Sequence, residues 1–244
     1  MTADSRPTRP IDRVAPIPPE RDAARDRRLL RIQALSGAVF LVFVLVHLGN
    51  TMAAAAGFTL YSGWLESARR IYQHPVVEIG GLVVPLVVHW SAAVVRLRRD
   101  GFRRRNRSLR ARLHRYTGYY LLVFIWGHFL ATRGPSLFAG VEVGFSTITY
   151  TFAWLPYWFY PYYVGLALSG LYHGVNGALL AASIFGTRVP LGLRYGPGFW
   201  LPFGAAATMV LLGVAGLAGL LYDVPDPWTS GYARWMADFM GGGE

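Results

Sequence analysis

The chain has 244 residues, of which 53% are hydrophobic, 15% aromatic and only 15% charged. Soluble domains carry about a quarter charged residues, so this balance points to a membrane protein. The absence of cysteine excludes disulfides, iron–sulfur ligation and thioether-linked cofactors. The net charge of +11 comes from arginine without any lysine, and it is read as topology, with no nucleic-acid partner expected, because the arginines cluster between long apolar runs.

Residues 1–27 are rich in Pro, Arg and Asp and hold no apolar run, so they read as a flexible cytoplasmic arm rather than a secretory signal. A span needs about 20 mostly apolar residues. Five segments qualify: Ile32–Ala53, Val76–Val95, Tyr116–Thr132, Trp158–Phe185 and Phe199–Leu221. The third is short, and Arg115 and Arg133 at its ends are expected to snorkel to the interfaces. The expected architecture is an all-α integral membrane bundle of five helices over residues 28–222, followed by a tail at 223–244.

Arginine marks the cytoplasmic side. Arg21, Arg25, Arg27, Arg28 and Arg31 precede the first span, and ten arginines lie between Arg96 and Arg115. The opposite loops hold Arg69, Arg70 and Arg133 beside Glu66 and Glu142. The N-terminus is therefore expected inside and the C-terminus outside, in the inner (cytoplasmic) membrane. Tyr150, Trp154, Tyr157, Trp158, Tyr160, Tyr162 and Tyr163 then read as an outer aromatic belt. Asp226-Pro227 is expected to start a short outer interfacial helix carrying Trp228, Tyr232, Trp235, Met236 and Phe239.

An ionisable residue inside a span is costly and marks function by default. Spans one to four each carry one histidine: His47, His89, His128 and His173. His74 and His114 fall at span ends, within expected reach of water. At about 1.5 Å of rise per residue, His47 and His128 share the outer half of the bilayer, and His89 and His173 the inner half. Each level thus offers two imidazoles from two helices, which suits the two axial positions of a haem iron. Two b-type haems between helices one to four are expected, with His47, His89, His128 and His173 as iron ligands.

The sequence repeats around these histidines. Ser36-Gly37 precedes His47 as Thr117-Gly118 precedes His128, an offset of 81 residues, and Gly81-Leu82 precedes His89 as Gly165-Leu166 precedes His173, an offset of 84. Glycine on the ligand face, with Gly49, Gly127, Gly170, Gly174 and Gly177, is read as clearance for a flat ring. Each ligand's second nitrogen is expected to donate to a carbonyl one turn earlier in its own helix. A lone histidine could instead bond a neighbouring helix, and a proton relay or haem-free transporter is the rival reading. Relays favour carboxylates, and the spans hold almost none, Glu78 near the outer end of the second being the nearest case.

The ligand order over the first four of five spans, at intervals of 42, 39 and 45 residues, with Arg31-Ile-Gln-Ala-Leu-Ser36-Gly37 leading to His47, resembles the dihaem cytochrome b subunit of succinate dehydrogenase and fumarate reductase. The resemblance spans roughly residues 28–222. It implies a membrane anchor passing electrons between a cytoplasmic flavoprotein and iron–sulfur subunit pair and membrane quinone, with menaquinone favoured. It further implies that His89 and His173 hold the haem nearer the iron–sulfur subunit and that His47 and His128 hold the distal one. Arg31, Arg112 and Arg115 are candidates for the haem propionates, with topology the equal alternative. Glu66, Glu78, Arg31 and Ser36 are candidates for the quinone site. Some relatives carry a proton-conducting carboxylate two positions before the fourth ligand, where this chain has Leu171. A cytochrome b561-like or hydrogenase-type dihaem subunit is the nearest alternative, and the complex is open to higher oligomerisation.

Overall fold

The computed structural model describes residues 20–101 and 108–241, so most of the expected arm and the centre of the basic loop lie outside the described residues. Helix α1 runs Glu20–Ala53, beginning inside the segment expected as the arm, and a 3-10 turn Ala54–Ala56 ends it. Then follow α2 (Phe58–Tyr72), a π-helical segment Val77–Val83 continuing into α3 (Val84–Asp100), and α4 (Leu109–Ala139). The chain completes with α5 (Phe145–Trp154), α6 (Pro156–Ile184), α7 (Leu191–Tyr195), α8 (Pro197–Leu217) and α9 (Gly231–Phe239). No strand occurs among the described residues.

Five stretches are long and apolar enough to cross a membrane: Ala23–Ala56, Val77–Arg99, Leu109–Ala139, Pro156–Ile184 and Pro197–Leu217. Large apolar side chains on them, such as Val42, Leu45, Val123 and Leu130, point outward. Lipid, not water, is the solvent that suits such a surface. We refer to the end holding the starts of α1 and α4 as the arginine-rich end and to the other as the aromatic end.

Helix ends differ from expectation for local reasons. The fourth helix is 31 residues long and continues through Pro135, so it is not short. Helices α6 and α8 each close in a Schellman turn on a left-handed glycine: Gly186 with Thr187 N donating to Ala182 O, and Gly219 with Leu220 N donating to Ala215 O. In the tail, Asp226 caps only a 3-10 turn at Pro227–Thr229, while Ser230 caps α9 by accepting from Ala233 N.

Helices α1, α3, α4 and α6 surround a central space. Helix α1 packs against α3 and α6, and α6 against α4, while α3 and α4 approach less closely. That last gap is bridged by Trp90, whose indole donates to Leu122 O and whose ring sits edge-on to Trp126. Helix α8 lies outside this group and braces α1 and α6. Its Gly213 and Gly216 press so closely on the end of α1 that a Cβ would stand 1.9 Å from Thr51 O and 2.2 Å from Ala54 O. Tyr222 then donates to Ala54 O at 2.6 Å.

The aromatic end is a packed layer as well as a belt. Tyr157 and Trp158 are exposed, but Tyr150 on α5 is buried among Trp154, Trp228 and Tyr232, which docks α9 onto α5. Helices α2 and α5 are absent from the sequence reading because neither is long enough to span.

Gly216→Val is expected to lower stability by about 1–3 kcal/mol through forced separation of α8 from α1. Gly204→Val is expected to be nearly neutral, because no atom lies within 4 Å of a Cβ there. Thermal melts of both variants in detergent test this, and equal melting points would refute the close-contact account.

Candidate functional site

A cavity of about 910 Å³ runs between α1, α3, α4 and α6 and reaches both ends of the bundle. Its wall is mostly apolar, and His47, His89, His128 and His173 line it. His47 on α1 faces His128 on α4, with ring centroids 5.9 Å apart and planes at 67°. His89 on α3 faces His173 on α6 at 6.1 Å and 87°. Each pair therefore spans a diagonal of the four-helix group.

The repeat explains how the second pair is held. His89 Nδ1 lies 2.8 Å from Gln33 O, and His173 Nδ1 lies 3.1 Å from His114 O. A carbonyl only accepts, so both Nδ1 atoms carry the proton and both Nε2 atoms keep a lone pair. The acceptor lies on a neighbouring helix, not one turn earlier in the same helix as the sequence suggested. Glycine makes the reach feasible: a Cβ on Gly37 would stand 2.7 Å from the His89 ring, and one on Gly118 would stand 2.9 Å from the His173 ring. The preceding hydroxyls, Ser36 and Thr117, bond back to Ile32 O and Leu113 O, each at 2.8 Å. Gly37 and Gly118 thus clear an imidazole. Gly165 meets Tyr120 and Gly49 meets Trp64, so these two serve packing, whereas Gly170, Gly174 and Gly177 do line the cavity.

The first pair shares a second correspondence. Thr51 and Thr132, again 81 residues apart, bond back to His47 O and His128 O. Phe43 stacks on His47, and Tyr162 lies against His128.

Both facing pairs fit one metal ion apiece, since two metal–nitrogen bonds of about 2 Å and the two half-rings sum to about 6 Å. Among the described residues no group of three His, Cys, Asp or Glu comes together. A closed structural zinc site, which takes four protein ligands, does not suit the arrangement.

Charge gathers where the cavity meets the bundle ends. At the arginine-rich end Arg96 donates to the Gln33 amide at 2.7 Å, and Arg115 also lines the wall. Arg31 and Arg112, the other two candidates, are exposed and not among the lining residues. At the aromatic end Arg133 grips Glu78 through two contacts, 2.5 and 2.9 Å, and donates to Ser136. Arg133 is therefore tied inward and does not snorkel. Its partner sits in the π-helical segment, an irregularity that often accompanies function. Arg69 and Tyr72 complete this mouth. Nearby, burial together with Tyr72 and Tyr163 pushes the Tyr61 phenol well above its ordinary range, so it remains neutral.

Two other candidates lie apart from the cavity. Glu66 pairs with Arg70 at 2.6 Å on the exposed face of α2, and Ser36 is occupied by its backbone bonds. Leu171 packs in the apolar core beside Leu48 and Val214. Conversely, the sequence reading placed His114 in reach of water, whereas it lines the cavity and stacks on His173 at 4.1 Å and 4°. Carrying the 81-residue repeat back four positions from Gly37 and Gly118 would have pointed to Gln33 and His114.

Comparison with protein-family models, curated proteins and solved structures finds no match to this chain.

Removing Arg133 would leave Glu78 a partly buried, uncompensated carboxylate. Arg133→Leu is expected to cost on the order of 3 kcal/mol, and the double variant with Glu78→Gln is expected to regain most of it. Unfolding titrations in mixed micelles measure both, and additive losses would rule out the coupling.

Proposed function

We propose that this protein is a dihaem cytochrome b, the membrane-anchoring and quinone-reacting subunit of a succinate:quinone oxidoreductase. One observation carries the reading: two diagonal pairs of imidazoles, each about 6 Å across, face one another inside a single apolar cavity. His47 and His128 would hold one haem b, and His89 and His173 the other. When bound, haem supplies one-electron chemistry at its iron, with imidazole on both sides leaving no position for oxygen.

The chain's own residues do the rest. Gln33 O and His114 O accept from Nδ1 of the second pair and leave each Nε2 with a lone pair that could bind a metal. The wall is mostly apolar, and Arg96 and Arg115 at one mouth and Arg69 and Arg133 at the other are where ring carboxylates would meet positive charge. A haem-free relay has less support, because Glu78, the carboxylate lining the cavity, is already matched by Arg133.

The narrower assignment draws on the resemblance in ligand order. The arginine bias supports an N-terminus inside the cell and an arginine-rich end that meets the iron–sulfur and flavoprotein subunits. Quinone, with menaquinone favoured, would react near the aromatic end, where Glu78, Arg133, Arg69 and Tyr72 are among the polar groups at the cavity mouth. Moving an electron between the levels crosses part of the membrane potential, worth about 2.3 kcal/mol per charge per 100 mV.

The test is a reduced-minus-oxidised spectrum with pyridine haemochrome quantification on the purified protein. Two b haems per chain are expected. His47→Ala and His128→Ala should each abolish the same haem, and His89→Ala and His173→Ala the other. A colourless protein, or one haem lost in all four variants, would sink the reading. Copurification of a flavoprotein and an iron–sulfur protein separates the succinate type from a hydrogenase-type or b561-like subunit.

A further inference from the structure

The two halves of the repeat match closely around the second histidine pair, with one exception. Gln33 and His114 occupy equivalent positions, and each lends its backbone carbonyl to the Nδ1 of a facing histidine. Their side chains then part company. The Gln33 amide turns to Arg96. The His114 ring lies flat on His173, 4.1 Å away and within 4° of parallel.

The stack is not the by-product of a hydrogen bond made through Nδ1 of the His114 ring. Its Nδ1 is buried and finds no partner among the described residues. The ring is placed by contact with His173 on one side and by Gly177, where a Cβ would come within 3.5 Å of it, on another. His89 has a carbonyl like that of His173, but the position equivalent to His114 gives it no ring to rest on.

We propose that His114 is a positioning residue that fixes the plane of the His173 imidazole and so makes this site differ from one held by carbonyl alone. A ring held by one hydrogen bond through Nδ1 can still pivot about the line through its bonded nitrogens. A parallel ring against its face removes that freedom. The plane so fixed stands at 87° to His89. The angle between two axial imidazoles sets the anisotropy of a ferric low-spin haem, so the stack has a spectroscopic consequence at one haem only.

The inference rests on the dihaem reading, and the experiment keeps the two apart. Purified full-length protein is titrated potentiometrically and its oxidised form examined by electron paramagnetic resonance, for wild type, His114→Gln, His114→Phe and Gln33→His. Wild type lacking haem defeats the dihaem reading before any variant is compared. With two haems present, His114→Gln should shift the largest g value and the midpoint potential of the haem that His173→Ala removes, leaving the other unchanged. His114→Phe keeps a flat ring and should restore the wild-type signal. Gln33→His, which offers a ring to His89, should shift that same haem, and it decides the matter if His114→Gln does not accumulate. Unchanged spectra in His114→Gln, equal shifts at both haems, a Phe variant as altered as the Gln variant, or a silent Gln33→His where it is the deciding variant would overturn the proposal.

Discussion

The centre of this bundle depends on an imidazole reaching the backbone of a neighbouring helix through the gap left by a missing Cβ. Inside a span water is scarce, so a buried Nδ1 gains from a protein acceptor. A helical carbonyl can accept a second bond only where its flank is clear. Gly37 and Gly118 clear it, and the contact sets both the spacing of the helices and the tautomer of His89 and His173. The tautomer leaves Nε2 of both rings with a free lone pair.

The remaining helices act on that core from outside. Helix α8 joins the end of α1 through Gly213 and Gly216, and the layer of α2, α5 and α9 closes the aromatic end around Phe145 and Tyr150. At that end the polar contacts run between elements: Arg133 with Glu78, and Arg69 with Glu142 and the Val143 carbonyl. The arginine-rich end is tied by Arg110, which contacts Asn176, the Leu193 carbonyl and the face of Phe199. At the cavity mouths themselves, Arg133 is paired with Glu78 and Arg96 donates to Gln33.

Much of this was legible in the sequence because hydropathy and depth are one-dimensional. Five apolar runs give five spans, and counting residues along each helix brings His47 level with His128 and His89 level with His173. What escaped was set by side-chain direction and contacts between helices. The short helices α2 and α5 carry no span-length signal, and Tyr150 reads as belt although α9 buries it. His114 lies near the start of α4, where counting suggests water, yet its ring lines the cavity and stacks on His173. Ser36 and Arg31 sit in the most recognisable motif and still stay outside the cavity wall, because the motif's work is done by the glycine and by a carbonyl.

The two-helix repeat carries a further implication. Its units run in the same direction through the bundle, α1 with α4 and α3 with α6. Each histidine pair takes one ring from each unit, at equivalent positions: 47 with 128, and 89 with 173. Each unit therefore supplies half of both pairs, and neither unit alone holds a complete one. Because both units sit in one chain, a position in one can differ from its counterpart in the other, as Gln33 differs from His114.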